Sequence, residues 1–170
     1  MKTILFVIAT VVATAICEAQ DCVAIKVVPV YFANDSLLID VRNISKGATQ
    51  TTSIYVLDAG LDKRVNRLCK ALEEKPSRVN YRIIGIGHSR FSNKKRCRDF
   101  IPPGDTTFFG PKARFVGEAN DFLSVIVDSI IPTWDTNTYQ RILIGHSFGG
   151  LFGIYCSTLA TSPFDEIFAL

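Results

Sequence analysis

Apolar positions along the 170-residue chain change period several times, and each change marks an element. Cys22 to Phe32 and Leu37 to Arg42 are rich in Val and Ile and flank Ala33-Asn34-Asp35-Ser36, a cluster of turn formers, which predicts a β-hairpin. A polar stretch from Asn43 to Thr52 leads to Ser53-Ile54-Tyr55-Val56-Leu57, a continuous apolar run of the kind found in strands buried on both faces. From Leu61 to Glu74 the apolar positions become Val65, Leu68, Cys69 and Leu72, spaced i, i+3, i+4, i+7, which places them on one face of a helix that Pro76 ends. Tyr81 to Gly87 is another buried strand. Residues 88–114 carry Lys94-Lys95-Arg96, Pro102-Pro103 and several turn formers, and read as a long surface loop. A second helix is expected from Gly117 to Ile131, with Phe122, Val125, Ile126 and Ile130 facing inward and Pro132 stopping it. Tyr139 to Ile144 gives a strand, Gly145 to Gly150 a glycine-rich corner, and an apolar helix then runs to Leu159. Ile167 to Leu170 begins one more strand.

Strands alternating with helices argue for βαβ crossovers, hence an α/β fold with a mostly parallel sheet flanked by helices. The first nineteen residues stand apart from it. Lys2 precedes the uncharged run Ile4 to Ile16, and small residues precede Gln20 at the spacing of a signal-peptide cleavage site, so residues 1–19 read as a secretory signal and 20–170 as one domain. These thirteen uncharged residues rise about 20 Å as a helix, short of the roughly 30 Å hydrocarbon core, so no stable membrane span is expected. Acylation at Cys17 is disfavoured because Ile16 occupies a place where a small residue is expected. The expected location is secreted or periplasmic.

Composition narrows the classes. With 48% hydrophobic and 21% charged residues, the chain has material for a core, and disorder is excluded. The net charge is only +3 and neither sign forms a long block, so no nucleic acid is expected as partner. Removing 1–19 leaves Cys22, Cys69, Cys97 and Cys156 in a disulfide-permissive compartment, with three pairings open. Cys156 reads as a buried thiol in an apolar helix, which leaves Cys69 with Cys97 as a possible clasp. No Cys-x-x-Cys spacing occurs, and neither metal nor cofactor is expected.

The chemistry lies in Gly145-His146-Ser147-Phe148-Gly149, a G-x-S-x-G sequence between a buried strand and a helix, the setting of a nucleophile elbow. Side chains two residues either side of a serine at so tight a corner would collide with the crossing backbone, which is why both places are glycine. The alternative is a serine that merely caps the helix. Gly87-His88-Ser89-Arg90-Phe91 begins the same way but has Phe91 in place of the second glycine, so Ser89 is not an elbow serine. An oxyanion at Ser147 would meet the amide of Phe148 and the helix N-terminus, and a second amide from Gly60 or Leu61 after the Ser53 strand. Activating the hydroxyl needs a histidine and a carboxylate. The chain has two histidines: His146 adjoins Ser147 and must point away, and His88 ends the Tyr81 strand, about 9.6 Å to the side if one strand intervenes, which suits a loop or pocket rim better than a base. After Ser147 there is no histidine, and Asp165 and Glu166, the acids there, read as solvated turn residues. Lys94-Lys95-Arg96 with Arg98 likewise reads as a solvated basic loop. Trp134 and Phe108-Phe109 could line an acyl pocket or pack.

These residues resemble the esterase D-like esterases of the α/β-hydrolase superfamily, which include enterochelin and feruloyl esterases and relatives of the mycolyltransferases. The resemblance covers Ser53 to Leu170 through Tyr55-Val-Leu-Asp58, Gly85-Ile-Gly87, Arg98-Asp-Phe-Ile-Pro102, Asp121-Phe-Leu leading to Ile131-Pro132, and Arg141-Ile-Leu-Ile-Gly-His-Ser-Phe-Gly-Gly-Leu-Phe152. It implies an α/β-hydrolase fold, with Ser147 as nucleophile, Phe148 as one oxyanion donor and Gly60 or Leu61 as the other. The family's Leu-Asp-Gly is Leu57-Asp58-Ala59 here, with glycine one place later. The family's acid and histidine have no counterpart, so the chain is expected to be the N-terminal part of a longer domain and to turn over little or no ester by itself. The resulting expectation is a serine hydrolase that cleaves small-molecule carboxylic esters through an acyl-serine intermediate. The alternatives are an acyltransferase or peptidase on the same scaffold, or a non-catalytic binding protein that keeps the elbow as architecture. Nothing in the sequence sets the oligomeric state.

Overall fold

The computed structural model describes residues 24–29 (as backbone), 36–60, 64–90, 92–104 and 117–170. The expected signal sequence 1–19, Cys22, the expected turn residues Ala33, Asn34 and Asp35, Leu61 and Phe108-Phe109 lie outside the described residues.

Among the described residues six strands form one sheet: β1 Ala24–Pro29, β2 Ser36–Ile44, β3 Thr51–Leu57, β4 Asn80–His88, β5 Gln140–Gly145 and β6 Glu166–Ala169. Their order across it is β1-β2-β4-β3-β5-β6. β1 and β2 form the expected antiparallel hairpin, and β2 continues antiparallel onto β4. β4, β3, β5 and β6 run parallel. The parallel part places the C-terminal ends of β3, β4 and β5 side by side, which is where an open α/β sheet puts its chemistry.

The α-helices among the described residues are α1 Arg64–Glu74, α2 Asn93–Phe100, α3 Ala119–Val125, α4 Ile131–Trp134 and α5 Phe148–Ser157. Strand alternation sends side chains to two separate cores. Leu37, Ile39, Tyr55, Leu57, Ile84, Ile86 and Leu143 meet Phe100, Phe122, Ile126, Phe152 and Cys156 on one face. Ile44, Ile54, Val56 and Ile83 meet Val65 and Cys69 of α1 on the other. Each such side chain contributes about 1.5–3 kcal/mol by leaving water. Phe122 packs edge-on against Phe100 at 5.3 Å and Phe152 at 5.1 Å between centroids, tying α2, α3 and α5 together.

Three expectations need correction. Residues 88–114 are not all loop: 93–100 form α2, with Cys97, Asp99 and Phe100 buried. Its dense charge hid the short apolar spacing of Cys97, Phe100 and Ile101. Pro132 does not stop the second helix. A π-helical turn, Ile126–Ile130, precedes it, and the proline sits at the start of α4, which carries the helix on to Trp134. A widened turn spares the close i−4 carbonyl that a proline ring would strike. The Cys69–Cys97 clasp is absent: both thiols are free, because α1 and α2 pack on opposite faces of the sheet.

Cys156 is also free and buried, and burial pushes its thiol up to about 12. A thiol whose folded value lies above its unfolded one contributes stability in full below the ordinary thiol range, and loses it as pH rises through the folded value. Iodoacetamide at pH about 8.5 is therefore expected to alkylate native Cys156 at least roughly 100-fold more slowly than the unfolded chain, read by intact mass. Comparable rates would mean that the α5 core opens readily.

At the N-terminal ends of β3 and β5, Asp135 is fully buried and gathers a polar network. The Tyr55 hydroxyl donates to it at 2.8 Å and Arg141 Nε at 2.6 Å, while the Ser53 and Thr138 hydroxyls also donate to Oδ1. Burial, with the Asp135 charge beside it, raises the Tyr55 phenol far above its ordinary value. This network closes the sheet at the end away from the glycine-rich corner.

Candidate active site

β5 ends at Gly145 and α5 starts at Phe148, so strand turns to helix within His146 and Ser147. Ser147 takes φ 57°, ψ −118°, a region that L residues avoid at a cost of about 1–3 kcal/mol. The surroundings hold it there. The Ser147 amide donates to the Leu170 carbonyl at 2.8 Å, the Leu170 amide to the Gly145 carbonyl at 2.9 Å, and the Leu151 amide to the Ser147 carbonyl at 3.0 Å. A Cβ on Gly145 would overlap the Gly149 carbonyl group, and one on Gly149 would stand 3.3 Å from Leu57 Cβ. Gly145→Ala is accordingly expected to cost about 1–3 kcal/mol in urea unfolding and to displace the corner. An unchanged midpoint would mean that the corner can relax freely.

Ser147 is exposed, and its hydroxyl makes no capping bond to the first turn of α5. The capping role weighed against the elbow is thus absent. Phe148, half-buried, opens α5. On the neighbouring strand, Asp58-Ala59-Gly60 turns directly after β3, with Asp58 at φ 58°. The Ala59 amide is engaged by the Ile86 carbonyl at 3.1 Å, so the next amide along is that of exposed Gly60. Leu61, the other expected donor, is not among the described residues.

His146 is exposed at the corner itself. β3 lies between β4 and β5, so His88 is two strands away from the serine strand. His88 is no exposed rim residue either: its side chain is only 5% exposed, and Nε2 lies 2.6 Å from Oδ2 of fully buried Asp99. Asp165 accepts the Arg141 amide at 2.8 Å and Glu166 accepts from the Gln140 side chain at 2.7 Å, so both sit at the β5–β6 edge.

Two arginines also depart from the solvated reading. Arg98 Nε donates to Asp99 at 2.5 Å, and Arg96 grips Asp58 with Nε at 2.8 Å and Nη2 at 2.7 Å. The Arg96–Asp58 pair spans 38 residues, and no local spacing announces it. Trp134 packs against the core of the α2–α5 face.

An exposed, strained serine at a strand-to-helix corner, with α5 directed at it, is an arrangement able to support nucleophilic attack on a carbonyl. No protein-family model matches the chain. A siderophore enterobactin esterase of Emericella nidulans is 30% identical over 111 residues, covering 56% of this chain and 36% of that protein. An apo-salmochelin esterase of Escherichia coli is 28% identical over 142 residues, covering 76% of this chain and 43% of that protein. Among solved structures, the BES protein of Bacillus cereus superposes with a TM-score of 0.73 at 21% identity, over 86% of this chain and 60% of its own. The chain has the fold of the α/β-hydrolases. The chain spans less than half the length of the two curated relatives. Among its described residues no helix is long and apolar enough to cross a membrane.

Proposed function

We propose that the protein is an exported serine hydrolase that cleaves carboxylic esters through an acyl-serine intermediate, with Ser147 as nucleophile. The backbone of Ser147, at φ 57° and ψ −118° on an exposed corner, carries this reading. A relaxed serine would need no such strain. In the acylation step the Ser147 oxygen bonds to the ester carbonyl carbon, its proton passes to a general base, and the alcohol leaves protonated; water then releases the acid. Phe148 and Gly60 or Leu61 supply the amides for the tetrahedral oxyanion. His88, engaged by Asp99 and separated from the serine strand by β3, is not assigned as the base. The names of the two esterase relatives favour an ester of the siderophore kind as substrate. Residues 1–19 direct export in this reading.

A fluorophosphonate probe tests the nucleophile on the full-length protein. Peptide mapping should place the adduct on Ser147, and a folded sample that carries no adduct there overturns the assignment. Product analysis with ester, amide and competing alcohol distinguishes hydrolysis of esters from peptidase and acyltransferase chemistry.

A further inference from the structure

We infer that Arg96 is a positioning residue that braces the two halves of the oxyanion site against each other; the inference rests on Ser147 being the nucleophile. One half is the turn after β3. Asp58 holds a left-handed φ of 58°, and both of its carboxylate oxygens are taken by the Arg96 fork, at 2.8 and 2.7 Å. The other half is the start of α5. The Arg96 guanidinium carbon lies 5.3 Å from the centroid of the Phe148 ring, and Phe148 is the residue whose amide follows the nucleophile. One planar group on α2 therefore touches the side chain of each half, and the halves lie on neighbouring strands.

The pair is well removed from solvent, with Arg96 11% and Asp58 2% exposed in their side chains. Asp58 neutralises the guanidinium, so Arg96 acts through its shape and not as a free cation for a substrate. A bidentate, planar fork fixes orientation as well as distance, which a lysine ammonium cannot do. The turn has a second fixed point at β4. A Cβ on Gly87 would stand 2.5 Å from the Gly60 nitrogen, so the missing side chain lets the Gly60 amide lie directly over the strand. With Gly87 beneath and Arg96 beside it, the turn has little room to shift away from Phe148. Misplacing one oxyanion donor lowers the rate by roughly 10²–10³.

Arg96→Lys, Asp58→Asn and the double variant of the full-length protein test this brace. The measurements are the rate of fluorophosphonate labelling at Ser147 per folded molecule, kcat and KM with a p-nitrophenyl ester, and the thermal midpoint. Each single variant should label about 100-fold more slowly and lose kcat to a similar degree, with KM within about twofold of the parent. The double variant should lose no more than the worse single one, because both act through one contact. Arg96→Lys labelling at the parental rate overturns the inference while leaving Ser147 as nucleophile. A lower midpoint with an unchanged rate per folded molecule also overturns it, since Arg96 would then be merely structural. A parental protein that does not label at Ser147 removes the catalytic reading, and the brace with it.

Discussion

Ser147→Ala is expected to abolish fluorophosphonate labelling and to lower ester turnover by the full-length protein roughly 10⁴- to 10⁶-fold, with the fold intact. Removing the hydroxyl removes the atom that forms the acyl bond, and no neighbouring group takes its place. Ser89 shares the Gly-His-Ser sequence, but it follows β4, whose neighbours are β2 and β3, and its hydroxyl accepts from Ser36. Stability should move in the other direction for Ser147→Gly. Glycine adopts φ 57° without the steric penalty of a Cβ, so this variant should gain about 1 kcal/mol, or roughly 2–4 °C in midpoint. Alanine, with its Cβ retained, should gain little. The opposite signs matter together: loss of activity with a gain in stability is the signature of strain kept for function. Persistent turnover in Ser147→Ala would assign the chemistry to another residue, and a Ser147→Gly variant less stable than its parent would show that the serine side chain holds the corner.

Asp135→Ala should have the largest effect on stability. The carboxylate is fully buried and accepts from Ser53, Tyr55, Thr138 and Arg141, with Arg82 Nη1 at 3.8 Å. Truncation strands the buried Tyr55 hydroxyl and leaves two guanidinium groups without their anion. Breaking one side of a buried pair costs about 3–5 kcal/mol. The side chains of Arg141 and Arg82 retain 28% and 23% of their exposure, so water recovers part of the loss and about 3 kcal/mol is expected. For a chain of this size that is roughly 6–12 °C in the thermal midpoint. Asp135→Asn keeps an acceptor for Tyr55 and should lose about half as much. Because the network lies at the opposite end of β3 and β5 from Ser147, the folded fraction should still label at the parental rate. A loss below about 1 kcal/mol for alanine would mean that neighbouring groups or water replace the carboxylate readily.

The elements that were legible in the sequence are those with a strong period. Val65, Leu68, Cys69 and Leu72 define α1, and the unbroken run Ile54 to Leu57 defines a strand covered on both faces. The sharp corner was legible because its steric demand is local: Gly145 and Gly149 sit two residues from Ser147, and the crowding they relieve involves the corner's own backbone and the adjacent strand. α2 was hidden because six of its eight residues are polar or charged, so its buried stripe has almost no apolar contrast. The continuation of the second helix past Pro132 was hidden because a π-turn changes the register in which a proline is tolerated.

From its residues alone the chain determined the alternation of strands and helices, the hairpin of β1 with β2, and the place of the sharp corner, because each depends on contacts within a few residues. Tertiary structure decided the partners. That Arg96 grips Asp58 and lies against Phe148, that His88 is taken by Asp99, and that Cys69 and Cys97 are kept on opposite sides of the sheet all follow from strand order and helix packing. Such pairings form between residues separated along the chain, where charge and periodicity say which groups need a partner but only the packed backbone says which ones come within reach.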